Sequence, residues 1–223
     1  MFKVAIDGPG GAGKSTISKA AAKQKGFVYI DTGAMYRAAA LFCMRQGIDI
    51  QNNPERAAAA VDTISIDIDY QQDGQHIYLN GEDVSEQIRT PEVSMGASEV
   101  SAIGKVRERL VAFQQELAAS KNVIMDGRDI GTKVLPDAQV KIFLTASAEV
   151  RAKRRYDELV AKGDDVSFHE VLKDIEKRDR NDETRAVSPL KPAEDSVLLD
   201  TSALSFAESL QAVVDIIDKK LKN

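Results

Sequence analysis

Residues 2–25 place an apolar run, FKVAI, before the stretch Gly8-Pro9-Gly10-Gly11-Ala12-Gly13-Lys14-Ser15, with a helical pattern from about Lys14 to Lys25 behind it. No other feature constrains the fold as much. The stretch fits G-x-x-x-x-G-K-[ST] and sits between a strand and a helix, as the chemistry requires. Its glycines let backbone N–H groups turn inward on an anion, and the following helix adds its positive N-terminal end. Gly8, Gly10, Gly11, Ala12, Gly13, Lys14, Ser15 and Thr16 are therefore read as a cradle for the phosphates of a nucleoside triphosphate. Lys14 would reach the β- and γ-phosphates, and the Ser15 hydroxyl would meet Mg²⁺.

The rest of the chain repeats the alternation. Short apolar runs at 27–31, 123–126, 140–144 and 196–200 are separated by helix-compatible sequence at 33–46, 147–162, 167–180 and 205–221. Nearly continuous apolar strands alternating with helices predict an α/β fold, with a parallel sheet covered on both faces. Residues 63–85 break the rhythm. They alternate at Ile64, Ile66 and Ile68 and again at Ile77 and Leu79, with Asp73-Gly74 and Asn80-Gly81 as turn signals. A small antiparallel β insertion of about three strands is expected there.

Composition narrows the function classes. The 223 residues suit one domain with an insertion rather than two full domains, and the hydrophobic fraction of 43% supports a packed core. A net charge of -5 argues against a nucleic-acid partner. Cys43 is the only cysteine and His76 and His169 are the only histidines, so no internal disulfide and no Cys/His zinc cluster is expected. Cys43, in LFCM, reads as a buried thiol. Without a signal-like start or a run near the ~20 residues of a membrane helix, a cytoplasmic protein with no membrane partner is expected.

In an open parallel sheet, ligands gather at the carboxyl ends of the strands. There the chain offers the phosphate loop, Asp31-Thr32-Gly33-Ala34-Met35-Tyr36-Arg37 and Asp126-Gly127-Arg128-Asp129. Thr32 is placed to cap the helix that follows it. A GTPase would need N-K-x-D, which is absent. A motor or transport ATPase would usually couple to a partner or a membrane; since the VIMD strand does end in an acid, Asp126, that option is weakened rather than removed. A small-molecule kinase, which needs a second anion site facing the first, accounts for Arg37 and Arg128 together.

GPGGAGKST, DTGAMYRAAA, GEDVSEQIRTPEVS, DGRDIGT and RDRNDETRAVSPL together resemble the bacterial cytidylate kinases over essentially the whole chain. The resemblance implies a P-loop kinase fold with five parallel strands in the order 2-3-1-4-5. It also implies transfer of the γ-phosphoryl group of ATP to CMP or dCMP with Mg²⁺, and a monomer. The core would be 1–62 and 93–223, with a lid at about 151–166; 63–92 would be the nucleoside-monophosphate-binding insertion. Thr32, Arg37, Arg128 and Arg185 resemble the groups that hold the CMP phosphate, with Tyr36 beside them. Ser98, Arg107 and Asp129 match cytosine-reading positions, and Arg178 and Asp182 the ribose pair. Another nucleoside monophosphate or small-molecule kinase of the same fold is the alternative.

The residue types suit this chemistry. A carboxylate accepts from the N4 amino group of cytosine, and an arginine donates to N3 and O2. Uracil would turn a carbonyl toward Asp129, so cytosine is the expected preference. The attacking phosphate oxygen is already ionised, so catalysis reduces to positioning and charge neutralisation by Lys14, Arg37, Arg128 and Arg185. Arg151, Lys153, Arg154 and Arg155 are candidates for charge arriving late with the lid; Arg154 and Arg155 are the two expected to meet ATP. Asp126 is expected to orient Mg²⁺ with Ser15.

Overall fold

The computed structural model describes all residues except Gln72, Asp73 and Asn223. In chain order its elements are β1 (Lys3–Asp7), α1 (Lys14–Lys25), β2 (Val28–Asp31), α2 (Thr32–Arg45), α3 (Pro54–Val61), β3 (Ile66–Gln71), β4 (Gly74–Leu79) and β5 (Glu82–Asp83). These are followed by α4 (Pro91–Ser101), α5 (Gly104–Leu117), β6 (Val123–Gly127), β7 (Val140–Thr145), α6 (Ala148–Lys162), α7 (Phe168–Thr184), β8 (Val197–Asp200) and α8 (Phe206–Leu221). A π turn, Ile130–Val134, follows β6. The main sheet runs β2-β6-β1-β7-β8, which is 2-3-1-4-5 when its own strands alone are counted. The chain divides into two compact units, residues 1–29 with 121–223 and residues 30–120.

In the first unit, β1 is the centre of the sheet. It pairs in parallel with β6, Lys3 opposite Val123 through Asp7 opposite Gly127, and with β7, Val4 opposite Val140. Strands buried on both faces read as unbroken apolar runs. Val4, Ile6, Ile124, Ile142 and Leu144 accordingly form one core with Ala21 and Ala22 of α1 and Val213, Val214 and Ile217 of α8. Serines start the last three helices. Ser147 accepts from Val150 N–H, and Ser167 with Glu170 and Ser205 with Glu208 form capping boxes that satisfy the first amides. Gly163 ends α6 in the left-handed region as its C-cap.

The second unit holds the insertion. β3, β4 and β5 form an antiparallel sheet, Ile66 opposite Leu79 and Tyr78 opposite Asp83. Asn80 and Gly81 make the second turn; Asp73, expected in the first, lies outside the described residues. Ile66, Ile77 and Leu79 turn inward by strand alternation. The unit also contains α2 to α5, of which α3, α4 and α5 were not read from the sequence. Cys43 is buried, as expected. Among the described residues, no helix is long and apolar enough to cross a membrane.

Candidate active site

The phosphate loop opens from the carboxyl end of β1. Gly13 takes φ 88° as the N-cap of α1, a left-handed conformation that a side chain would strain. Lys14 donates to the Pro9 carbonyl at 2.8 Å and is 5% exposed. Burial pushes its ammonium down to about 7; Arg128 and Arg178 add repulsion, while Asp126 and Asp182 oppose it. The loop is thus built for an incoming anion, which would restore the charge on Lys14.

Ser15 Oγ donates to Asp126 Oδ2 at 2.9 Å, and Tyr29 Oη donates to Asp126 Oδ1 at 2.8 Å. A hydroxyl and a carboxylate therefore converge where the glycine-rich loop meets the end of β6. These are hard oxygen donors. Their small number suits Mg²⁺, which completes its shell with phosphate oxygens and water. Tyr29 escaped the sequence reading because it lies in a strand that looks purely structural.

Arg151 corrects an expectation. It is not a late-arriving charge: it is 5% exposed, pairs bidentately with Asp179 at 3.0 and 2.6 Å, and donates to Gly10 O at 3.0 Å. It braces the phosphate loop from α6. Arg154 lies beside the same loop, donating to Ala12 O at 3.5 Å and Thr201 O at 2.9 Å. Arg155 pairs instead with Glu158 at 3.3 Å, and Lys153 with Asp157, as neighbours on an exposed helix face.

The loop after β6 carries Arg128 and Asp129. Arg128 Nε donates to Asp182 Oδ2 at 2.8 Å. Burial works to raise the Asp182 pKa, but Arg128, Arg178 and Arg185 outweigh it and hold the carboxyl below its usual range. Arg178 and Asp182 stand one turn apart on α7, and Arg185, just past the helix end, donates to Ser188 O at 2.5 Å. A Cβ added at Gly10 would lie 3.4 Å from Arg128 Nη2 and 3.6 Å from Arg178 Cδ. The phosphate loop and these arginines therefore form one basic cluster within the first unit.

Thr32, Tyr36, Arg37, Ser98 and Arg107 belong to the second unit. Thr32 does not cap α2 as expected. Asp31 does, accepting from Ala34 N–H at 3.0 Å, so Thr32 becomes the first helical residue and is 3% exposed. The other Asp31 oxygen accepts from Arg37 Nη2 at 2.9 Å, and Gln75 on β4 accepts the Asp31 N–H at 3.0 Å. Gly33 makes room for this pair: an added Cβ would lie 3.0 Å from Arg37 Nη1. Arg37 Nε is buried with no hydrogen-bond partner among the described residues. Asp31 was legible only as part of a motif, not as the residue that aims Arg37.

Arg107 on α5 is 3% exposed. Its guanidinium lies over the Tyr36 ring, 5.6 Å from the centroid, and donates to Ser101 O at 3.2 Å. Stacking on an aromatic face suits a planar guanidinium and helps to tolerate its burial. Ser98 lies on α4 in the same unit. His76 pairs with Asp83 at 2.8 Å, consistent with a place in the insertion rather than in chemistry.

The chain is 54% identical over 222 residues to the cytidylate kinase of Caldicellulosiruptor bescii, an alignment covering 100% of this chain and 98% of that one. It is 52% identical to the cytidylate kinase of Caldicellulosiruptor saccharolyticus over the same shares. The solved gluconokinase of Sinorhizobium meliloti 1021 shares the fold, with a TM-score of 0.50 at 17% identity over 100% of this chain and 94% of that one. The cytidylate kinase profile matches residues 4–219, from the first strand to the last helix, and the chain belongs to the cytidylate kinase family.

Proposed function

We infer that the chain transfers the γ-phosphoryl group of ATP to CMP or dCMP, yielding ADP and the corresponding diphosphate. The observation that carries this reading is the 54% identity to a cytidylate kinase along the full length. ATP is held by Gly8 and Gly10–Thr16, with Lys14 on its outer phosphates. The substrate phosphate is held by Thr32, Arg37, Arg128 and Arg185. The buried Nε of Arg37 supports that role, because a phosphate oxygen supplies the acceptor it lacks. Cytosine is read by Ser98, Arg107 and Asp129, and the ribose by Arg178 and Asp182.

An oxygen of the CMP phosphate attacks in line, so no side chain needs to remove a proton. Lys14 and the arginines neutralise charge as it spreads over the transferring group. Ser15 and Asp126 would hold Mg²⁺, which when bound offsets the charge on the phosphate oxygens. Closure of the lid at about 151–166 would exclude water and suppress wasteful hydrolysis of ATP. Arg154, already against Ala12 O, is its best-placed ATP contact.

The test is a coupled ADP-release assay with ATP, Mg²⁺ and, separately, CMP, dCMP, UMP, AMP and GMP. Fast turnover with CMP and dCMP, slow turnover with UMP, and loss of that preference in Asp129→Ala are expected. Preference for AMP or GMP would overturn the cytosine assignment. No turnover with any acceptor would overturn the kinase reading itself.

A further inference from the structure

Asp7 closes β1 directly before the phosphate loop and is 4% exposed. Its Oδ1 accepts the N–H of Ile130 at 2.7 Å, and its Oδ2 accepts the N–H of Gly131 at 2.7 Å. Those two amides open the π turn that follows Arg128 and Asp129. The first amides of a helical turn have no acceptor within it, and the residue just before the turn commonly lends its side chain. Here that residue is Asp129, and its side chain makes no capping bond. Its carbonyl oxygen serves the turn instead, accepting from Lys133 N–H at 2.8 Å and Val134 N–H at 3.2 Å.

Asp7 therefore caps the turn from the neighbouring strand. Gly131 is shaped to this contact: an added Cβ would lie 3.3 Å from Asp7 Oδ2 and 3.2 Å from Lys141 Cδ. The backbone around Asp129 is gripped from both sides. Gly127 pairs with Asp7 in the sheet, and Ile130 and Gly131 bond the Asp7 carboxylate. Single π turns recur at functional sites.

We propose that Asp7 is a positioning residue for substrate selection: by capping this turn from β1 it sets the direction of the Asp129 carboxylate, and so sharpens the choice of cytosine over uracil. The proposal rests on the reading of Asp129 as a base-contacting residue. A purely architectural Asp7 would affect stability and overall rate while leaving the CMP-to-UMP ratio of kcat/KM untouched.

The experiment measures that ratio, together with KM for ATP, in Asp7→Asn and Asp129→Ala. Asparagine keeps the shape of Asp7 but turns an amide donor on one of the two N–H groups. The expected result for Asp7→Asn is a fall in the ratio of about tenfold or more, the scale of one charge-assisted hydrogen bond, with KM for ATP within about twofold. If Asp129→Ala removes the preference and Asp7→Asn preserves it, the positioning role is wrong and the base reading stands. If Asp129→Ala leaves the preference intact, the base reading fails and takes the proposal with it. Should Asp7→Asn not fold, Gly131→Ala crowds Oδ2 while retaining the carboxylate. The same drop in ratio is expected there, and an unchanged ratio overturns the proposal.

Discussion

The lowered pKa of Lys14 makes ATP binding a proton-linked event. Without nucleotide, this ammonium is buried in a cluster with Arg128 and Arg178 and is pushed down to about 7. A bound triphosphate shifts the local field, because several negative oxygens join Asp126 and Asp182 against Arg128 and Arg178. Lys14 should then be fully charged near neutrality. With a starting value of about 7, roughly half a proton is missing at pH 7 and about nine-tenths at pH 8, and this fraction is taken up on binding. A phosphate with a final pKa of about 6 has already lost its proton at pH 8, so it does not mask the effect. Titration calorimetry of ATP into the protein at pH 8, in buffers of different ionisation enthalpy, reads the uptake as the slope of apparent heat against buffer heat. The slope should approach one proton at pH 8 and fall toward zero by pH 6. Lys14→Arg keeps the charge but cannot titrate, so it should abolish the slope. A flat response in the unaltered protein at pH 8 would refute the burial argument.

Three further outcomes follow from the geometry. Gly33→Ala drives a methyl to 3.0 Å from Arg37 Nη1 and 3.2 Å from Asp31 Oδ1. It should raise KM for CMP about tenfold or more while sparing KM for ATP, and an unchanged KM for CMP would contradict the role given to the Asp31–Arg37 pair. Tyr29→Phe removes a hydrogen bond that orients Asp126. The Mg²⁺ concentration for half-maximal rate should rise about tenfold, and no shift would mean that Asp126 is aimed by other contacts. Glu82 accepts from Arg45 and is held down to about 2 by that hydrogen bond, assisted by Gln87. A depressed carboxylate stabilises the fold above its unfolded value of about 4.5 and loses that contribution as pH falls toward 2. Arg45→Met should therefore lower the urea midpoint at pH 6 more than at pH 3, and an equal loss at both would remove the pairing from the account.

Much of the first unit was legible because its signals are local. The apolar runs became β1, β2, β6, β7 and β8, each within about a residue of its expected bounds, and α1 spans Lys14–Lys25 as read. The phosphate loop carries its own geometry in its glycines. The three-stranded insertion followed from alternation at Ile64, Ile66 and Ile68. By contrast, α4 and α5 went unread, although each buries a regular stripe, Val93, Ala97 and Val100 on one and Val106, Leu110 and Val111 on the other. The strand order was reached through family resemblance, since periodicity contains nothing about which strands lie side by side.

What the chain determines by itself is its set of elements and its inventory of charges, because hydrophobic period, turn residues and caps act over a few neighbours. What only tertiary structure decides is which charge does which job. Thr32 and Asp31 are both competent caps, and Asp31 is the one used, accepting Ala34 N–H while it also holds Arg37. Arg151 and Arg155 look alike on one helix, yet one is buried against Asp179 and Gly10 while the other faces Glu158. Asp7 ends an apolar strand and meets its amide partners 123 and 124 residues later. The roles of Arg151 and Asp7 depend on burial and on partners distant in sequence, and both come into being only when the chain has folded.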